Sequence, residues 1–139
     1  ADDLEPLAPG ELATSLRTIA DDLGPRIPIT YAEPVKSPPI PGRVARQLLQ
    51  AAGQALANGV QHADSVGLTA HIEPTPEEGV LIIVSDKGPG FDPVTIPADR
   101  LGIRASIIAR VTAVGGTAEI VSSPEGTVVT IRWNGDASW

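Results

Sequence analysis

The chain has 139 residues, of which 42% are hydrophobic and 3% aromatic, and a formal net charge of -7. That length suits one compact domain whose core is built from Leu, Ile, Val and Ala, while the acidic balance argues against a nucleic-acid surface, which needs clustered Lys and Arg. With no Cys and two His, a disulfide, a thiolate nucleophile and a Cys-based zinc site are excluded, and no apolar run approaches the roughly 20 residues of a membrane span.

In chain order, residues 10–23 read as a short helix, with Leu12, Leu16, Ile19 and Leu23 at helical spacing and Gly24-Pro25 as its stop. Residues 27–32 read as a strand that Pro28 places at a sheet edge, and 33–42 as a loop. The strongest helical pattern runs from Arg43 to Ala63. Leu49, Ala52, Leu56, Val60 and Ala63 form its apolar stripe, and Gln47, Gln50, Gln54, Asn58 and Gln61 form a polar one. Gly53 and Gly59 inside this helix each cost about 1 kcal/mol relative to Ala, which close packing against the helix would explain.

Residues 66–73 and 80–85 read as strands. The second, VLIIVS, is nearly continuous in apolar residues, as expected for a central strand covered on both faces. Residues 87–102 read as loop, 103–114 as a helix with Ile103, Ile107, Ile108, Val111 and Val114 toward the core, and 117–122 and 127–133 as a closing hairpin. Hairpin connections imply antiparallel pairing. The fold class is therefore α+β, a two-layer sandwich with a mixed, mostly antiparallel sheet of about five strands under about three helices. One domain over 1–139 is expected, with residues 1–24 as an N-terminal helix and linker ahead of a core at about 27–133.

Three features carry candidate chemistry. Gln54, Asn58 and His62 stand at i, i+4 and i+8 on one helix face; the Asn58 amide oxygen suits a hard cation such as Mg²⁺, although a solvated polar face has the same pattern. Asp86-Lys87-Gly88-Pro89-Gly90-Phe91 follows the buried strand, so the carboxylate sits at the edge of the core where it can accept from a ligand amino group. A plain tight turn would read the same way. Pro93 at the third glycine position excludes a dinucleotide fingerprint, and no Gly-Lys-Ser/Thr follows to make a P-loop. Arg100-Leu101-Gly102-Ile103 leads into the last helix, whose free N–H groups and dipole favour phosphate, with Arg104 adding charge; a glycine-initiated helix with surface arginines is the plainer account.

Taken together and in this order, the three features resemble the ATPase domain shared by histidine kinases, gyrase and MutL-type proteins, the Bergerat fold. Within that group the chain looks like the short-lid sensor histidine kinases. QALANGVQHA (54–63) resembles the N box, DKGPGF (86–91) the first glycine box, RLGIRASIIARVTAVGG (100–116) the second glycine box with its helix, and EIVSSPEGTVVTI (119–131) the closing hairpin. The likeness covers about residues 27–133.

The resemblance implies ATP and Mg²⁺ as cofactors. It implies that Asn58 holds the metal, His62 approaches the phosphates, Asp86 takes the adenine amino group, and Gly88 and Gly90 shape the base pocket. Arg100, Leu101, Gly102 and Ile103 would face the phosphates beneath a lid at about 92–101, and Thr127 would support the base beside Asp86. Gln54 stands where the family usually has a Glu, taken as a base or water-orienting group, which an amide cannot replace as a proton acceptor. Gln61 replaces a usual cation, and Arg100 replaces a glycine of the lid.

The implied function is phosphoryl transfer to a His on a separate dimerising helical domain, and through it to a response regulator, in the cytoplasm. The alternatives are a nucleotide-binding regulatory module without kinase activity and an anti-sigma-factor-like serine kinase.

Overall fold

A computed structural model describes residues 5–24, 26–32, 38–76, 79–88 and 98–135; for residues 98–101 it describes the backbone alone. Eight elements follow in order: α1 (Pro9–Asp22), β1 (Ile29–Tyr31), α2 (Gly42–Ala63), β2 (Thr69–Pro74), β3 (Val80–Ser85), α3 (Ala98–Thr112), β4 (Thr117–Ser123) and β5 (Gly126–Trp133). The five strands form one sheet in the order β1-β2-β3-β5-β4. Only β1 and β2 run parallel; the other neighbours are antiparallel. The expected two-layer α+β sandwich is the fold observed, with β1 at the edge.

The alternation of side chains along each strand sets which face is covered. Ala70, Ile72, Val80, Ile82, Val84, Val129, Ile131 and Trp133 are buried, and the register aligns them in rows: Ile72 opposite Ile82, Ile82 opposite Ile131, Val80 opposite Trp133. They join Leu12 and Leu16 of α1, Leu48 and Leu56 of α2, and Ile107 and Val111 of α3 in one core. The other side of the sheet carries no helix among the described residues. There Val121 and Val128 are 54% and 41% exposed, and Leu81 and Ile83 of β3 are half-buried. The expectation that β3 is covered on both faces is therefore corrected. Its apolar run reflects a central position in the sheet rather than a second helical layer.

Two helices differ from the sequence pattern in detail. On α2 the buried face is wider than the stripe read from the sequence: Val44, Ala45, Leu48, Ala51 and Ala55 are buried, while Leu49 and Val60 are half-buried at its margins. Small residues let this helix lie close to its neighbours. A Cβ on Gly59 would come within 2.6 Å of Leu68 Cδ1, which accounts for the glycine. The helix ends at Asp64, which has φ +51 and donates its N–H to Gly59 O. The last helix, α3, begins at Ala98, five residues before the expected Ile103. Gly102 is thus an internal residue, and the free N–H groups of the helix start belong to residues 98–101.

Leu56 is fully buried under the sheet. Leu56→Ala is expected to lower stability by about 3 kcal/mol through lost burial and the cavity left behind. The midpoint of urea unfolding monitored by circular dichroism measures this, with an unchanged slope.

Candidate nucleotide-binding cleft

Asp86 follows β3 directly, where the strand leaves the sheet beside the start of β5. Its backbone N–H donates to Thr127 O at 2.9 Å. Its Oδ1 accepts from Gly88 N at 3.0 Å and Thr127 N at 3.3 Å. One oxygen thus ties the carboxylate to two backbone donors, while Oδ2 makes no hydrogen bond among the described residues. The Thr127 side chain is buried, and its hydroxyl meets Ser122 Oγ at 2.9 Å.

The loop after Asp86 rests on the end of α2. Lys87 N donates to Val66 O at 2.8 Å. A Cβ on Gly88 would lie 2.4 Å from Ala63 Cβ and 2.8 Å from Ala63 Cα, so any larger residue there would push the loop off the helix. Asn58 lies on α2 a little over one turn before Ala63.

Between α2, α3 and the sheet lies a narrow cleft, with about 20 Å³ of space open to a water-sized molecule, lined by Ala55, Asn58, Ile103, Arg104, Ile107, Ile120, Thr127 and Val129. Its walls are aliphatic, with three polar groups at separate points, the usual composition of a small-molecule site. Thr127, bonded to Asp86, shares this wall with Asn58. The Asn58 Oδ1 is buried and has no hydrogen-bond partner among the described residues. Orphaned buried polar atoms of this kind are rare unless a ligand, an ion or an ordered water completes them.

Of the residues singled out in the sequence, the structure brings Asn58, Ile103 and Thr127 to one cleft and joins Asp86 and Gly88 to its Thr127 side. His62 is half-buried one turn beyond Asn58 and is not part of the lining. Gly102 is exposed on α3. Gly90 and the lid segment up to residue 97 lie outside the described residues, as do the side chains of Arg100 and Leu101. Gln54 is half-buried and bonded to α3, outside the cleft lining. Arg104 enters the wall although the sequence marked it only as supplementary charge; its side chain reaches the cleft through the rotation of α3 in the packed molecule, which the order of residues does not signal.

The geometry can be set beside known proteins. Residues 43–136 match the family model described as "Histidine kinase-, DNA gyrase B-, and HSP90-like ATPase". The chain belongs to this ATPase family. No curated protein sequence matches it. Among solved structures, the histidine kinase domain of the Erythrobacter litoralis EL346 blue-light activated histidine kinase is similar, with a TM-score of 0.68 and 20% identity over 95% of this chain and 68% of that one. The longer form of that kinase gives 0.64 and 20% identity over 99% of this chain and 48% of its own length. The Acinetobacter baumannii histidine kinase AdeS gives 0.71 and 15% identity over 98% and 69%. At these identities the likeness is one of fold, and it agrees with the two-layer sandwich of this ATPase domain.

Among the described residues no group of three or more His, Cys, Asp or Glu side chains could hold a metal ion, and no helix is long and apolar enough to cross a membrane. A hard cation held by few protein ligands normally arrives with phosphate oxygens completing its shell. The single orphaned amide oxygen of Asn58 fits that mode of binding.

Proposed function

We propose that this ATPase-family domain binds Mg-ATP in the cleft between α2, α3 and the sheet, and that it is the catalytic domain of a two-component sensor histidine kinase. The observation that carries the reading is the cleft itself: its lining holds Thr127, which is bonded to Asp86, together with the buried, unpartnered Asn58 oxygen. Asp86 Oδ2 takes the adenine amino group, and the aliphatic side chains of Ile103, Ile107, Ile120 and Val129 cover the flat base. Asn58 holds the metal, and Arg104 and Arg100 offer charge to the phosphates, with Gly88 and Gly90 shaping the base pocket and Leu101 and Gly102 beside the tail. His62 approaches the tail from the next turn of α2. When bound, Mg²⁺ neutralises phosphate charge as it develops in transfer. The γ-phosphoryl group passes to a His on a separate dimerising helical domain and from there to a response regulator; ATP as substrate puts this work in the cytoplasm.

Titration with a non-hydrolysable ATP analogue, with and without Mg²⁺, tests the reading. Asn58→Ala is expected to weaken binding in Mg²⁺ about tenfold, since one ligand of the ion is lost, and to leave affinity without Mg²⁺ nearly unchanged. An Asn58→Ala protein that keeps the full Mg²⁺ enhancement would remove Asn58 from the metal site.

A second reading, a nucleotide-binding regulatory module without phosphotransfer, is favoured by Gln54, whose amide cannot accept a proton at neutral pH. Incubating the intact parent protein with radiolabelled ATP separates the two: a phosphohistidine supports the kinase, and its absence beside demonstrated ATP binding supports the module.

A further inference from the structure

Three glutamines of α2 meet one guanidinium of α3. Arg110 Nη1 donates to Gln50 Oε1 at 2.7 Å and to Gln47 Oε1 at 3.3 Å, and Arg110 Nε donates to Gln54 Oε1 at 3.2 Å. Gln54 also meets Ser106, one turn earlier on α3: its Nε2 donates to Ser106 Oγ at 3.1 Å, and Ser106 Oγ lies 3.3 Å from Gln54 Oε1, to which it can donate instead. All five side chains are half-buried. Among the described residues no carboxylate pairs with Arg110; the cation is held by neutral acceptors alone.

This seam stands directly behind the cleft. Gln54 precedes Asn58 by four residues on one face of α2, and Ser106 follows Ile103 by three on α3. We propose that Gln54 is a positioning residue: through Arg110 and Ser106 it fixes α3 against α2, and so sets the separation between Asn58 on one wall and Ile103 and Arg104 on the other. The inference rests on the nucleotide reading of the cleft. It reassigns the residue at the usual Glu position from proton transfer to holding two helices in register. Truncating it leaves Arg110 short of an acceptor inside a half-buried seam, where an unmet hydrogen bond costs more than a made one contributes.

The test is binding of a non-hydrolysable ATP analogue with Mg²⁺ to Gln54→Ala, Arg110→Ala, the double variant and Gln54→Glu. Each truncation is expected to weaken binding ~10-fold and the double variant well short of the ~100-fold of independent losses, because the Gln54–Arg110 contact is shared and lost only once. Gln54→Glu keeps an acceptor for Arg110 and for the Ser106 hydroxyl, so it is expected to bind within ~3-fold of wild type. Ser106→Ala removes a single hydroxyl and carries the same test, at ~3-fold, if a larger truncation does not yield folded protein.

A second readout follows α3 itself. Trp133 is buried and its Nε1 donates to Val114 O, just past the end of α3, at 3.0 Å. In a Trp139→Phe background it is the remaining indole of the two Trp residues, and acrylamide quenching is expected to rise in Gln54→Ala and not in Gln54→Glu. Truncations that bind like wild type, losses that multiply to ~100-fold in the double variant, or lost affinity with unchanged quenching would each overturn the proposal. Wild-type protein that takes up no analogue overturns the nucleotide reading as well, which separates the two failures.

Discussion

Asp86→Asn is expected to weaken binding of an ATP analogue ~100-fold while moving the melting temperature by no more than about 2 °C. The substitution keeps size and shape, and the amide oxygen can still accept from Gly88 N and Thr127 N, the two bonds that Oδ1 makes. What changes is the outward atom. Where Oδ2 offers an anionic acceptor to the adenine amino group, the amide presents a second donor, so an attraction becomes a donor facing a donor. Hydrogen bonds to charged groups contribute about 1.5–3 kcal/mol, which spans roughly ten- to hundredfold in affinity, and the repulsion places the loss at the upper end. Calorimetric titration beside a thermal melt checks both halves of the expectation. An Asn variant that binds within threefold of wild type would mean that the base does not lie against this carboxylate.

Gly126→Ala is expected to produce the largest stability loss of any single methyl added to the described residues near the cleft, about 3–4 kcal/mol or roughly 10 °C in melting temperature. Gly126 has φ +144, which L side chains avoid. A Cβ there would stand 2.0 Å from Asp86 O and 3.0 Å from Lys87 Cα. Both are main-chain atoms, so no side chain can swing aside. Relief would require the β4–β5 turn to pull away from the end of β3, and the neighbouring Asp86–Thr127 pair would open with it. Circular dichroism melts give the stability, and nucleotide titration well below the lowered melting temperature gives the second effect, a loss of binding in protein that is still folded. A shift smaller than about 2 °C would show that the hairpin accommodates the methyl by moving as a unit.

Much of the fold was legible because it rests on local periodicity. The closing hairpin read over 117–122 and 127–133 matches β4 and β5 to within a residue at each end, and the eight-element order follows from similar patterns. Errors arose where a local signal competed with a distant one. Gly102 looked like the start of a helix, yet α3 continues five residues upstream of Ile103, because a glycine costs an established helix only about 1 kcal/mol. VLIIVS looked doubly covered, although no run of apolar residues can report how many layers lie above it. The glutamine stripe of α2 looked solvated, while its partners Ser106 and Arg110 stand 52 to 63 residues away in the chain.

The cleft was legible in part. Asn58, Asp86, Ile103 and Thr127 could be singled out because amide, carboxylate and glycine-flanked turns have chemistry that shows in a string of letters. The orphaned state of the Asn58 oxygen and the entry of Arg104 into the wall could not, since both depend on which way a helix is rotated in the packed molecule.

The contact between Gly88 and Ala63 has a consequence for how such a domain can diverge. The turn that carries Asp86 sits on the last coil of the helix that carries Asn58, with no room for even a methyl between them. These two anchors therefore drift as one block. On the nucleotide reading, a change that slides α2 along its axis retunes the preference for the base and the grip on the metal together, and the seam from Gln47, Gln50 and Gln54 to Arg110 and Ser106 carries α3 with it.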